Sequence, residues 1–438
     1  MIDFADSCSW GTSDAIKPYF KYEDHSSFGN PTVAIGANRY TGSCYQYANT
    51  GFGQLTFGRP LRRTCSAYFQ TWSFQISGSQ PVNSTNASII WRWDTGNGTP
   101  PILSLVYVPV SAHTYKLAFY TGGTGFPGDL GTLLYTSQTE LTWNQWYSID
   151  TEITVPTMAN SGTASMYIND VLDTDPSTPG QPSIRAYNWS ATPTHWWITW
   201  ANLSSTGPYI SDIVVSDNAA NPLALVDQTN TRLGPCRVKM YTPGQDQRAQ
   251  WNRFTEATAT ANYDVVSEVP GHSFDVSAPD GDYSYLFSAV GTGPTDYYSL
   301  GYWPGGGTGG TPFVMGFDCY GLILGVAWNA CLQEPSGRGQ NLAVIPNPSN
   351  GIPTFLGAGQ LATASGYTVV QAVCEVRPDT GANWTDPMLT DSWWGIENSA
   401  GFPHVTQLVL EKITSTRSVP FNCGQGSYSY ILTSGAGI

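Results

Sequence analysis

Between Ser66 and Ile76 the chain reads Ser-Ala-Tyr-Phe-Gln-Thr-Trp-Ser-Phe-Gln-Ile, and Tyr68, Trp72, Phe74 and Ile76 fall on one side of a two-residue repeat. Side chains of an extended strand alternate between faces, so this pattern specifies a half-buried strand and is incompatible with a helix of period 3.6. The same signal returns in Ser88–Asp94 (Ser-Ile-Ile-Trp-Arg-Trp-Asp), in Leu103–Val108 and in Tyr115–Tyr120, the last running into a Gly-Gly turn. Almost no stretch carries a helical period. A chain patterned this way satisfies its backbone by pairing strands and buries its apolar faces by stacking sheets. The expected fold class is all-β, built of antiparallel β-sandwiches.

Composition agrees and narrows the function. Charged residues make up only 11% of the 438, against the usual quarter or so, while 16 Trp, 25 Tyr and 17 Phe bring aromatics to 13%. Disorder needs the reverse balance, and the 46 Gly and 30 Pro supply the turns that many short strands require. With a net charge of −14 and 18 Lys and Arg in all, the chain lacks the basic clusters that phosphate binding demands, so no nucleic-acid partner is expected. No segment reaches the roughly 18 apolar residues of a membrane helix. The longest apolar stretch, Tyr320–Trp328, is expected to be one doubly buried strand, and no membrane insertion is expected. The opening Met1-Ile-Asp-Phe-Ala-Asp has neither the basic nor the apolar region of a signal peptide, so the expected setting is the cytoplasm or an assembled particle released from it. The eight cysteines (Cys8, Cys44, Cys65, Cys236, Cys319, Cys331, Cys374 and Cys423) include no CxxC. Buried free thiols are expected rather than zinc or disulfides, with one bridge left open among Cys8, Cys44 and Cys65.

A more telling series follows Leu141. Leu141–Val155 contains Trp146-Tyr147, Gly162–Val171 ends in Ile168-Asn169-Asp170, Trp196–Asn202 is Trp-rich, and Tyr209–Asp217 reads Tyr-Ile-Ser-Asp-Ile-Val-Val-Ser-Asp. This order resembles the laminin-G-like, concanavalin-A-like jelly roll, over residues 1–217. The chain has Asn169-Asp170 where that family often has an Asp-Gly turn, a departure that Asn and Asp tolerate. Alternation in the last strand puts Ile213 and Val215 on the opposite face from Val214, and no domain break is expected within 88–155.

The second half opens at Asn230 with a strand-like run, Cys236-Arg-Val-Lys-Met-Tyr241, closed by a turn at Pro243-Gly244. Gln250-Trp251-Asn252, Asn262–Glu268 and the Asp-rich Pro279–Asp282 come next. Further on stand the strand Tyr367–Val376, Pro378-Asp-Thr-Gly-Ala-Asn-Trp384-Thr, and the strand Val405–Lys412. In this order, about residues 230–412 resemble a segment found in many tailed-phage structural proteins. The expected organisation is a jelly-roll sandwich over 1–217, a connector over 218–231, a second β-sandwich of phage structural-protein type over 232–415, and a Gly/Ser-rich tail over 416–438.

Some concanavalin-like sandwiches are glycosidases whose active strand carries carboxylates at alternate positions, with nucleophile and acid about 5–5.5 Å apart. The candidate here is Asp150-Thr-Glu152. Thr154 and Val155 stand where a third acid of the glucanase pattern belongs, so a solvent-facing strand edge is expected and no enzyme. Asp275, Asp280 and Asp282 suggest calcium, but calcium wants six to eight oxygens, and an Asp-Gly turn is expected instead. His25, His113, His195, His272 and His404 have no metal-ligand spacing. No metal, cofactor or catalytic residue is therefore assigned. Trp196-Trp197 and Trp393-Trp394 are adjacent pairs, so in each one ring faces outward as a candidate surface for a glycan or a partner, unless loops or neighbouring subunits cover it.

These resemblances imply a virion structural protein of a tailed bacteriophage, assembled in the host cytoplasm as a fibre, spike or capsid decoration. It would contact other virion proteins and bind cell-surface glycan weakly. The apolar tail, with Tyr428, Tyr430, Ile431 and Leu432, implies a homo-oligomer, a trimer foremost. The alternative is a carbohydrate-active enzyme or free carbohydrate-binding module of concanavalin-like fold.

Overall fold

Every strand pairing described in the computed structural model of the chain is antiparallel. The structure describes residues 2–8, 23–24, 31–35, 39, 43–47, 54–61, 63–76, 87–96, 99–123, 129–155, 158–201, 208–219, 232–241, 243–254, 261–262 and 265, and after that the backbone of the strands between 285 and 415 with the side chains of 286–287, 296, 298 and 412–414.

Two sheets are made from residues before 218. Sheet I runs β14 (Val171–Asp173), β13 (Gly162–Ile168), β12 (Tyr147–Thr154), β6 (Ala67–Ile76), β17 (Pro208–Asp217), β4 (Ser43–Tyr47) and β3 (Pro31–Ile35). β1 (Ile2–Asp6) also pairs with β17, and β15 (Ile184–Tyr187) with β13. Sheet II runs β10 (Thr132–Thr136), β9 (Thr114–Thr121), β8 (Leu103–Pro109), β7 (Ser88–Asp94), β16 (His195–Ala201), β5 (Gln54–Pro60) and β2 (Glu23–Asp24), with β11 (Leu141–Thr142) on β9. The late strands β16 and β17 insert beside the early β5, β7, β4 and β6, so neither sheet is complete until its late strand is in place. β7 to β12 belong to these same two sheets, without a break.

The core between the sheets is aromatic. From sheet I come Phe4, Tyr68, Trp72 and Phe74; from sheet II come Trp91, Trp93, Tyr107, Tyr115 and Trp196. Trp91 and Trp196 stack in parallel at 5.0 Å, Trp72 meets Trp91 at 5.7 Å, and Phe4 meets Trp196 at 4.9 Å. Burying each such ring contributes about 1.5–3 kcal/mol before the entropy of ordering it. The expected alternation holds in β17, where Ile213 and Val215 enter this core while Val214 joins a separate cluster on the outer side of sheet I. The Gly-Gly turn after β9 has φ of 71° and 78°, and Asn169-Asp170 turns with φ of 51° and 70°, the left-handed region that Asn and Asp tolerate.

Strands after residue 235 form further antiparallel sheets. Sheet III runs β20 (Asn252–Phe254), β21 (Tyr285–Phe287), β30 (His404–Ser415), β24 (Gly316–Leu324) and β27 (Thr368–Cys374), with β18 (Cys236–Tyr241) on β30. Sheet IV runs β19 (Pro243–Arg248), β22 (Thr295–Leu300), β29 (Trp393–Ala400), β25 (Ala327–Gln333) and β26 (Asn341–Ile345). β23 (Phe313–Val314) pairs with β28 (Trp384–Thr385).

Two sequence expectations are corrected here. Tyr320–Trp328 is not one strand: β24 ends at Leu324 and β25 starts at Ala327, in different sheets. An apolar run carries no mark of where a chain leaves one sheet for another. Nor do Pro243 and Gly244 close a turn. They open β19, where a first-position proline leaves no ladder donor missing. Cys8, Cys44, Cys65 and Cys236 are free thiols, so the bridge left open among the first three is not made.

Candidate functional site

The carboxylate pair of β12, Asp150 and Glu152, leads to the joint between the two halves. β12 lies between β6 and β13, and its alternation sends Ile149 and Ile153 into the aromatic core and Asp150 and Glu152 to the opposite face. A cross-strand row on that face runs Thr71, Asp150, Tyr167, Leu172. Asp150 is nevertheless 0% exposed. The guanidinium of Arg232 covers it, donating from Nη1 to Asp150 Oδ2 and from Nη2 to Asp170 Oδ1 at 2.6 Å. The same guanidinium lies 3.7 Å above the Tyr167 ring. Asp170 is delivered by the β13–β14 turn, and Asn169 beside it ties that turn to β12 by accepting the Ser148 N–H at 2.9 Å. The expected solvent-facing edge is therefore wrong on two counts: β12 is an interior strand, and its outer face is roofed by the start of the second half.

A second fastener lies on β17. A bulge between Ser211 and Val214 leaves Asp212 at φ 55°, and its Oδ1 accepts the backbone N–H of Val238 on β18 at 2.8 Å. Ser211 Oγ donates to Asp212 Oδ2 at 2.7 Å. Bulges re-aim side chains, and this one points a carboxylate at the incoming strand. Around it, Ala5 and Val214 of sheet I pack with Leu233, Cys236, Val238 and Ile413 in a small apolar cluster.

Electrostatics follow from burial. Burial pushes the Asp150 carboxyl up to about 6, with Arg232 pulling the other way, and raises Glu152. For Arg232 burial lowers the pKa, but Asp150 and Asp170 outweigh it and the net direction is up. Burial raises Asp212 to about 6 against its neutral donors, and holds the Cys236 thiol well above its ordinary value. A glycosidase pair needs two carboxyls facing one sugar. Here one of the two is sealed under an arginine.

The other aromatic candidates are also resolved. On the outer face of sheet II a row runs Tyr120, Ser104, Arg92, Trp197, Gly58. Trp197 donates its indole N–H to Asp94 at 2.8 Å, lies parallel to His195 at 5.7 Å, and has Arg92 at 5.7 Å from its ring. Trp196 and Trp197 are each 0% exposed, so neither ring is an open sugar platform. Trp196 is core, and Trp197 is the covered outward ring. Trp393 and Trp394 stand on β29, of which the backbone is described. His113 is exposed at the β8–β9 hairpin and His404 begins β30. His25, His272, Asp275, Asp280, Asp282, Cys423 and the tail lie outside the described residues, as does 220–231 of the connector.

Further along, Asp296 accepts the N–H groups of Gln250 and Trp251 at 2.5 and 2.8 Å, the Asn262 side-chain amide at 2.5 Å and the Tyr298 hydroxyl at 3.1 Å. That buried node explains why Gln250-Trp251 and Asn262 are placed together. Sequence reasoning passed over Arg232, Asp212 and Asp296. Asp212 had a signal, as the polar residue interrupting an apolar strand; Arg232, one position past the proposed connector, had none.

No family model matches the sequence, and no curated protein matches it. Among solved structures, the globular domain of Trypanosoma cruzi calreticulin overlaps 50% of this chain and 89% of its own at 10% identity, with a TM-score of 0.30. The exoplasmic/lumenal domain of VIP36, in its Ca2+/Man-bound form, overlaps 49% and 93% at 10% identity and 0.29. The CBM2 module of the evolved Dit of Lactobacillus casei BL23 phage J-1 overlaps 39% and 75% at 11% identity and 0.26. The fold described above rests on strand order and pairing, not on these overlaps.

Proposed function

We propose that the protein is a structural component of a tailed-phage particle, mounted on its exterior as a fibre, spike or decoration, and that its work is assembly. The observation that carries this reading is the joint. The outer face of sheet I, with the carboxylate pair of β12, is given over to fastening the jelly-roll half to the next through Arg232 and Asp212. Two β bodies secured by buried polar bonds suit a scaffold that holds its shape, and they leave Asp150 unavailable for the enzyme alternative. The order of motifs over 230–412 supplies the phage setting.

In this reading the partners are other virion proteins and further copies of the chain, a trimer foremost, and weak binding to host-surface glycan is a second activity. Trp196 and Trp197 do not provide that binding, because both are covered. Mass spectrometry of purified virions tests the proposal: the chain should be present at a stoichiometry that fits a symmetric assembly. Its absence from particles, with free soluble protein accumulating instead, would overturn it. Deleting 416–438 should lower incorporation into particles while leaving the strands before it folded.

A further inference from the structure

We infer that the outer face of sheet I is a docking surface for the chain's own segment Arg232–Tyr241, and that Arg232 is the bolt holding the two halves together even when the connector is cut. This stands whether or not the protein belongs to a virion. The fasteners are non-covalent, and they sit on separate elements of the jelly-roll half: Asp150 on β12, Asp170 in the β13–β14 turn, Asp212 on β17, and Ala5 on β1. A single loop therefore cannot let go of the segment by moving.

On the other side the segment is not a loose strap. β18 pairs with β30 through six successive positions, from Cys236 with Ser415 to Tyr241 with Leu410, and β30 pairs along its length with β24. Whatever holds Arg232 and Val238 thus holds the ladder of sheet III. The arginine suits the task. Its planar fork reaches two carboxylates at once and stacks on Tyr167, and it stays charged when buried. Its side chain is 5% exposed and that of Asp150 is 0% exposed, so water competes little for either. Removing the cation would leave Asp150 buried without its charged partner, and the carboxyl would have to take up a proton or stay charged at a cost. The apolar cluster of Ala5, Val214, Leu233, Cys236, Val238 and Ile413 is small, and on its own makes a weaker seam.

The test uses the full-length protein with a specific protease site introduced within 220–231, cut after purification and run on size-exclusion chromatography. The two fragments should co-elute, and their separation would overturn the inference. In cut Arg232→Met, similar in bulk but uncharged, the fragments should separate at a urea concentration at least twofold lower than in the cut parent. Cut Arg232→Lys, able to reach one carboxylate well, should fall between them. Uncut variants must keep the parent's near-ultraviolet circular dichroism. If Arg232→Met does not fold uncut, the lysine variant alone decides. Arg232 variants that hold together as firmly as the parent would overturn the bolt, as would an equal loss in Arg185→Met, an exposed arginine of β15.

Discussion

Asp212, at φ 55° in the bulge of β17, accepts the backbone N–H of Val238 from the first strand of the second half at 2.8 Å. Burial of this carboxylate outweighs the main-chain amide and serine hydroxyl that donate to it, and the charges of Arg237 and Arg39 as well. Its pKa is raised from 3.8 to about 6.

A carboxyl whose folded pKa exceeds its unfolded one contributes stability that is fully present below about 4 and is lost as pH rises through about 6. A rise from 3.8 to about 6 corresponds to about 3 kcal/mol at most. Asp212→Asn keeps an acceptor for the Val238 N–H and tolerates a left-handed backbone. It should therefore be more stable than the parent near neutral pH, by up to about 2 kcal/mol, with the gain vanishing as pH falls toward 4. Urea midpoints of both proteins across that range check this; a gap that does not change with pH would refute it.

Gly58 faces Trp197 across the β5–β16 ladder. A Cβ there would meet the Trp196 carbonyl oxygen and would lie 2.7 Å from both Cα and Cε3 of Trp197. These are backbone atoms and a buried ring with nowhere to go, so Gly58→Ala should cost about 3 kcal/mol or more. Thermal unfolding should drop by roughly 6–12 °C for a body of this size. An unchanged melting temperature would mean that Trp197 does not lie against this glycine.

How far the sequence carries is clearest along β12 and β17. Alternation alone sends Ile149, Ile153, Ile213 and Val215 inward and Asp150 and Val214 outward, because a strand has two faces and a fixed period. What covers the outer face is a different kind of fact. Arg232 is 82 residues from Asp150, and nothing local to either names the other. So an outward carboxylate reads as solvated when it is in fact roofed. Trp197 fails in the same way: the repeat says that its ring leaves the core, and only the folded chain supplies the cover. The split of Tyr320–Trp328 between two sheets is beyond periodicity too, since both strands are apolar on the two sides of Gly325.

Asp173 ties the free end of sheet I to sheet II. It accepts the Tyr135 hydroxyl at 2.6 Å and the N–H groups of Gln138 and Thr139 at 2.9 Å each. β10 and β14 are the last strands on this side of their sheets, so this carboxylate stands in for a ladder that neither edge can make. Asp173→Ala leaves three donors without their acceptor and should cost about 2–4 kcal/mol in chemical denaturation. Asp173→Asn, with one acceptor oxygen, should cost less. Equal and negligible effects of the two would show that water replaces the carboxylate freely.

No polysaccharide turnover is expected from this protein, and the reason lies in the same joint. A retaining mechanism needs a nucleophile and an acid on the two sides of one bond, both reaching a sugar. Asp150 reaches Arg232 instead and has no exposed surface, and its strand neighbour on that face, Glu152, is half-buried beside the same cation. Opening the face to a polymer would first have to break the Arg232 bonds to Asp150 and Asp170. Glu152→Gln should therefore leave stability within about 1 kcal/mol of the parent and change no activity. Asp150→Asn should loosen the joint without touching a reaction. A screen of neutral and acidic polysaccharides by reducing-end release checks this directly. Turnover by the parent that vanishes in Glu152→Gln, with the fold intact, would replace the structural reading with an enzymatic one.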